Sequence, residues 1–265
     1  MTPLLQIVVA ALAGGVIATI AAAGTLALGA AWISRLVSFA VGALLGAVFL
    51  ELLPEALAQG SAQRVMITTL VGLLGFFLLE KLVLWRHAHG HDLHADDVDE
   101  TEHDHALHAH GGHPDGGRSG LMILIGTSVH NFCDGVVIAA SFLADSALGV
   151  AATVAIVSHA VPQQVGDFAV LVHSGYTRRR AFAYNVIVGL ATLAGALAGY
   201  YALADMQQVL PTVLAIAAAS LLYVAVADLI PSLHRRPEPL ETVKQLALIG
   251  LGIGVIAAAH VLLEH

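Results

Sequence analysis

The chain has 265 residues, of which 58% are apolar and 11% charged, with a formal net charge of −8. A soluble domain carries about twice that share of charge, and a mean hydropathy of +0.83 excludes an ordinary water-soluble fold. The negative charge is concentrated in one loop, no nucleic-acid partner is expected, and the single cysteine, Cys133, excludes an intramolecular disulfide.

Met1 to Ser34 holds no charged side chain. Runs of about 20 apolar residues read as membrane-spanning helices, and continuous apolar runs rule out barrel strands, which alternate. Eight spans follow in chain order: Leu4–Leu26, Leu36–Leu57, Val65–Trp85, Leu121–Leu143, Gly149–His173, Ala181–Ala204, Val209–Leu229 and Val243–Leu263. The first lacks the basic flank of a secretory signal. The expected fold is therefore an all-α polytopic membrane protein. Residues 1–86 carry spans 1–3, residues 87–117 form a loop, and residues 118–265 carry spans 4–8. Basic residues stay on the cytoplasmic side. Ten of the eleven Lys and Arg fall at connections 1–2, 3–4, 5–6 and 7–8, and Arg64 alone falls elsewhere. Both termini are thus expected outside the cytosol.

In the second span Glu51 and Glu55 are four residues apart around Pro54. They read either as a cation-attracting outer vestibule or as interfacial carboxylates in contact with water. The segment between spans 3 and 4 holds His87, His89, His91, His94, His103, His105, His108, His110 and His113, interleaved with Asp and Glu. It has too few apolar residues for a core and reads as a disordered cytosolic loop that buffers or senses divalent metal. Its irregular spacing and lack of cysteine exclude a structural zinc site.

The fourth and fifth spans carry the chemistry. Ionisable groups at membrane depth are costly and usually functional. His130 and Asp134 share one face of the fourth helix, four residues apart, as do His159 and Gln163 on the fifth. At 1.5 Å per residue, His130 and His159 each lie about 14–15 Å into their helices, near the midplane. Two antiparallel helices can then bring two imidazoles, one carboxylate and one amide oxygen to one point. That donor set suits Zn2+ and accepts Fe2+, Mn2+ or Cd2+. The alternative is polar side chains gluing helices together. Pro162 interrupts the backbone bonding of the fifth helix, and Gly135 and Gly166 read as sites of close helix approach. Asp167, one turn beyond Gln163, and Asp228, ending the seventh span, are candidate pathway carboxylates.

These segments together resemble the ZIP family of divalent-metal transporters over nearly the whole chain. The likeness rests on Glu51-Leu-Leu-Pro54-Glu55, His130-Asn131-Phe-Cys-Asp134-Gly135, the frame His159-x-x-Pro162-x-x-x-Gly166-Asp167-Phe168, and Leu222-Tyr-Val-Ala-Val-Ala-Asp228-Leu-Ile-Pro231. The resemblance implies eight helices with inverted repeats, both termini outside, metal import, homodimers and a two-metal site in helices 4 and 5. Asn131 carries over to that second site. The chain departs from the pattern at Ala47, Glu51, Ala160, Gln163 and Gln164, where acids or histidines are usual. One principal metal is therefore expected in place of a pair.

The resulting expectation is a transporter, not an enzyme, that imports Zn2+ or another divalent metal as substrate by alternating access, in the plasma (inner) membrane. The alternatives are an efflux carrier and a ZIP-like protein with reduced transport that acts as a metal sensor. The hydrolase signature His-Glu-x-x-His is absent, since His159-Ala-Val-Pro-Gln163 lacks the base and the second imidazole.

Overall fold

The computed structural model describes residues 2–25, 30–89, 118–234 and 238–263. The loop histidines from His91 to His113, and the side chains of His87 and His89, lie outside the described residues, as does the metal buffering expected of them.

Among the described residues all regular structure is helical: α1 (Pro3–Thr25), α2 (Ala30–Gly46), α3 (Leu53–Gln59), α4 (Ala62–His89), α5 (Arg118–Ala144), α6 (Ser146–His173), α7 (Arg178–Leu203), α8 (Leu210–Tyr223), α9 (Ile230–Leu233) and α10 (Pro239–Leu263). A π-helical turn, Ala47–Leu52, joins α2 to α3, and a second, Val224–Leu229, joins α8 to α9. Seven helical stretches among the described residues are long and apolar enough to cross a membrane, with α2–α3 and α8–α9 each forming one. The expected fourth span corresponds to α5. That helix has 27 residues and carries His130, Asn131 and Asp134.

The burial pattern fits a lipid surround. Only 6% of the α4 span is buried against 67% of the α2–α3 span, so α4 is peripheral and α2–α3 central. Leu70, Val71, Leu74, Phe77 and Leu78 of α4 are exposed, an arrangement that water would penalise and acyl chains would not. The core is made of Ile7, Leu44, Val48, Leu52, Ile138, Ile156, Leu214 and Leu221 with many alanines between them. Small side chains let helices approach closely where no hydrophobic effect drives them together.

A single residue, Asp145, separates α5 from α6. Its carboxylate accepts hydrogen bonds from the backbone N–H groups of Ala147 (2.7 Å) and Leu148 (3.1 Å), capping α6. A turn this short forces α5 and α6 to run antiparallel side by side. His130 and His159 lie fifteen and fourteen residues from it, so they meet at one depth. At the other end of α6, Gly175 takes a φ of 92° in the turn to α7, a region closed to most other residues.

α5 is held against α7 by glycine contacts. A Cβ placed on Gly135 would lie 2.0 Å from the Thr192 carbonyl oxygen, and one on Gly195 would lie 1.9 Å from the Phe132 carbonyl oxygen. The expectation for Gly135 therefore holds. That for Gly166 does not: a Cβ there meets nothing within 4 Å, because this face of α6 is turned to the exterior. Gly135→Ala is expected to lower stability by about 1–3 kcal/mol by overpacking the crossing. Gly166→Ala should instead be neutral or stabilise by up to about 1 kcal/mol through helix propensity. Thermal melts of the two purified variants in detergent check the contrast.

Candidate metal centre

Three side chains from α5 and α6 meet at one point. His130 Nε2 lies 3.3 Å from His159 Nε2 and 3.6 Å from Asp134 Oδ2, and His159 Nε2 lies 3.3 Å from that same oxygen. The rings of His130 and His159 meet edge to face, with centroids 5.5 Å apart. His159 and Asp134 are buried, and His130 is partly open. Among the described residues this is the one group of three His, Cys, Asp or Glu side chains that could hold a metal ion.

The geometry of that triangle is specific. A point equidistant from the three atoms lies about 2.0 Å from each, the length of a Zn2+ bond to imidazole nitrogen or carboxylate oxygen. Three atoms so placed surround that point nearly in their own plane and leave further positions open to either side of it.

His159 Nδ1 lies 3.2 Å from the Ala155 carbonyl oxygen. A carbonyl can only accept, so Nδ1 donates there, and in the neutral imidazole Nε2 presents its lone pair to the centre. That lone pair points at a carboxylate oxygen and a second imidazole nitrogen. Acceptors converging at 3.3 Å repel one another unless a proton or metal cation is shared between them.

The remaining expected residues are placed as follows. Asn131 is buried, and its Nδ2 donates to the Val188 carbonyl of α7 at 3.1 Å. Gln163 is partly buried one turn beyond His159 on α6, and Asp167 accepts a hydrogen bond from Thr127 of α5. Glu51 is buried in the first π-helical turn, and Glu55 is partly buried at the start of α3. Asp228 lies exposed in the second π-helical turn, within electrostatic reach of both His130 and His159. Two features escaped the sequence reading. Glu80 of α4 accepts a hydrogen bond from the Tyr223 hydroxyl and lies within electrostatic reach of Asp228. Asn185 of α7 is a buried polar side chain, as is Gln164 of α6, which the sequence marked only as a departure from the family pattern. An amide isolated in the apolar run after Ala181 was the available signal for Asn185.

A helical bundle of membrane-crossing length, with a His2Asp cluster inside it that could hold a metal ion, defines a multi-pass integral membrane protein. A family model described as ZIP zinc transporter matches residues 3–260, and the chain belongs to that family. It is 32% identical over 263 residues to human zinc transporter ZIP13, covering 85% of this chain and 70% of the relative. It is 30% identical to ZIP13 of Pongo abelii, covering 85% and 66%. It is also 30% identical to the ZIP13 homolog of Drosophila melanogaster, covering 87% and 78%.

The site's ligand roles can be read from binding. Co2+ or Zn2+ titrated into the purified chain should bind with affinity reduced by about a hundredfold or more in Asp134→Ala and His159→Ala. Gln163→Ala should cost about tenfold, as expected of a weaker neutral ligand. Affinity should also fall as pH is lowered, because protons compete for the imidazoles.

Proposed function

We propose that this protein carries divalent transition metal across the bilayer, importing Zn2+ into the cytosol, with Fe2+, Mn2+ and Cd2+ as further substrates. The observation that carries the reading is the triangle of His130, Asp134 and His159, sized for a Zn2+ ion and set inside a bundle of membrane-crossing helices. Gln163 supplies the fourth ligand, and Asn131 adds a weaker contact. The activity is transport rather than catalysis, and the metal is the substrate rather than a resident cofactor.

The ion's route uses carboxylates on either side of the triad. Glu51 and Glu55 draw cations in from the outer face, and Asp167 and Asp228 pass them towards the cytosol. The placement of Asp228 within electrostatic reach of both histidines supports this order. Alternating access exposes the triad to each side in turn, and protonation of the imidazoles helps release. α5 serves as the eighth span, giving both termini outside and placing the histidine-rich segment in the cytosol to buffer the incoming metal. The protein works in the plasma (inner) membrane as a homodimer.

Proteoliposomes loaded with a zinc-sensitive dye test the proposal. Native protein should give saturable Zn2+ entry, with competition by Cd2+ and Fe2+. His130→Ala and Asp134→Ala should each reduce initial rates by about a hundredfold. Unchanged uptake in both variants would refute the assignment.

A further inference from the structure

An apolar groove runs along the outside of the bundle between α1 and α7. Its walls are Leu12, Val16 and Ile20 of α1 and Phe182, Val186 and Leu190 of α7, all of them exposed, and it encloses about 220 Å³. Its floor lies where the two backbones come close: a Cβ on Gly15 would stand 3.3 Å from the Gly189 carbonyl oxygen. The Thr19 hydroxyl, also in the floor, donates to the Gly15 carbonyl at 2.8 Å, so no free hydroxyl is left there. From Phe182 to Leu190 the groove extends about 12 Å along α7. An apolar furrow of this length, open on its lipid side, suits a hydrocarbon chain.

The end of the groove carries charge. α7 begins one turn before Phe182 with Arg178, Arg179 and Arg180, all exposed. Among the described residues no carboxylate pairs with any of the three. Arg179 lies seven residues before Val186 and eleven before Leu190, and Arg178 lies eleven before Gly189, so helical periodicity puts both on the groove face of α7. Tyr176 and Tyr184 meet edge to face at 5.5 Å around this helix start, and tyrosines gather at headgroup depth. Guanidinium groups hold phosphate through paired N–H donors, and basic clusters at a bilayer surface favour anionic lipid. A second copy of the chain fits the groove poorly. A twofold axis along the membrane normal would set the two arginine trios against each other at one level, where like charges repel. We propose that α1 and α7 bind one anionic glycerophospholipid, with an acyl chain in the groove and the phosphate on Arg178 and Arg179. The inference is independent of the metal centre, and it uses the orientation proposed above only to place that lipid in the cytosolic leaflet.

The test uses the full chain purified in a neutral detergent. Phosphatidylglycerol and phosphatidylcholine with identical acyl chains are titrated in, and the lipid retained per chain is counted by native mass spectrometry. Phosphatidylglycerol is expected to be held about tenfold more tightly, as one molecule per chain. Arg178→Gln/Arg179→Gln should remove that preference. Lys81→Gln/Arg86→Gln, which takes as much charge from the end of α4, should keep it. Val16→Trp fills the groove from an exposed position on α1 and should weaken retention of both lipids. Val186→Trp fills it from α7 and should do the same, which guards against misfolding of either variant. Equal retention of the two lipids by native protein, or an undiminished preference in the arginine variant, overturns the proposal. Full competition by inorganic phosphate also overturns it, since the chain would then play no part. So does a dimer of native protein that Val16→Trp dissociates, which would give the groove to a second copy.

Discussion

Everything in this molecule turns on two imidazole nitrogens and a carboxylate oxygen held together inside the bundle. His159 Nδ1 meets the Ala155 carbonyl, and its Nε2 faces Asp134 Oδ2 and His130 Nε2 at 3.3 Å. In a buried, low-dielectric setting such a cluster is unfavourable alone and strongly favourable around a cation. The surrounding fold holds it together. The one-residue turn at Asp145 fixes the relative depth of α5 and α6. The glycine crossings at Gly135 and Gly195 pin α5 onto α7 and stop it from relaxing away. The convergence of the three side chains is therefore held by packing.

The residues of the centre were legible in sequence because helical periodicity is simple. His130 and Asp134 four apart, and His159 at matching depth on the next span, can face one another in few ways. Gly135 was legible for a related reason, since it lies next to a ligand on a helix that must be closely packed. Gly166 was not, because a glycine alone does not say which face of its helix is covered. The π-helical turns were also hidden. Glu51-Leu-Leu-Pro54 and Asp228-Leu-Ile-Pro231 share a spacing of acid and proline, but the widened backbone depends on how each helix meets its neighbours. The contact between Tyr223 and Glu80 joins residues 143 apart, which no local pattern announces.

The two π-helical turns are built alike. Each ends two residues before a proline, and each carries one carboxylate. Proline removes an N–H and frees the carbonyl four residues back, and a π turn is a common partner of function within a helix. One turn buries Glu51 among core residues; the other exposes Asp228. The same local device thus holds one acid inside the bundle and presents the other at its surface.

The charge of the centre sets how tightly it holds its ion. A divalent ion on one carboxylate and neutral ligands keeps a net positive charge in a buried place. Further acids at Ala160, Gln163 or Gln164 would neutralise it and deepen the well. A carrier gains from a shallow one, because an ion bound too firmly does not leave on the far side. Amides in place of acids keep oxygen donors near the path at lower charge. One of them, Gln164, keeps its amide oxygen buried without a hydrogen-bond partner among the described residues, so its place in the bundle is set by packing alone.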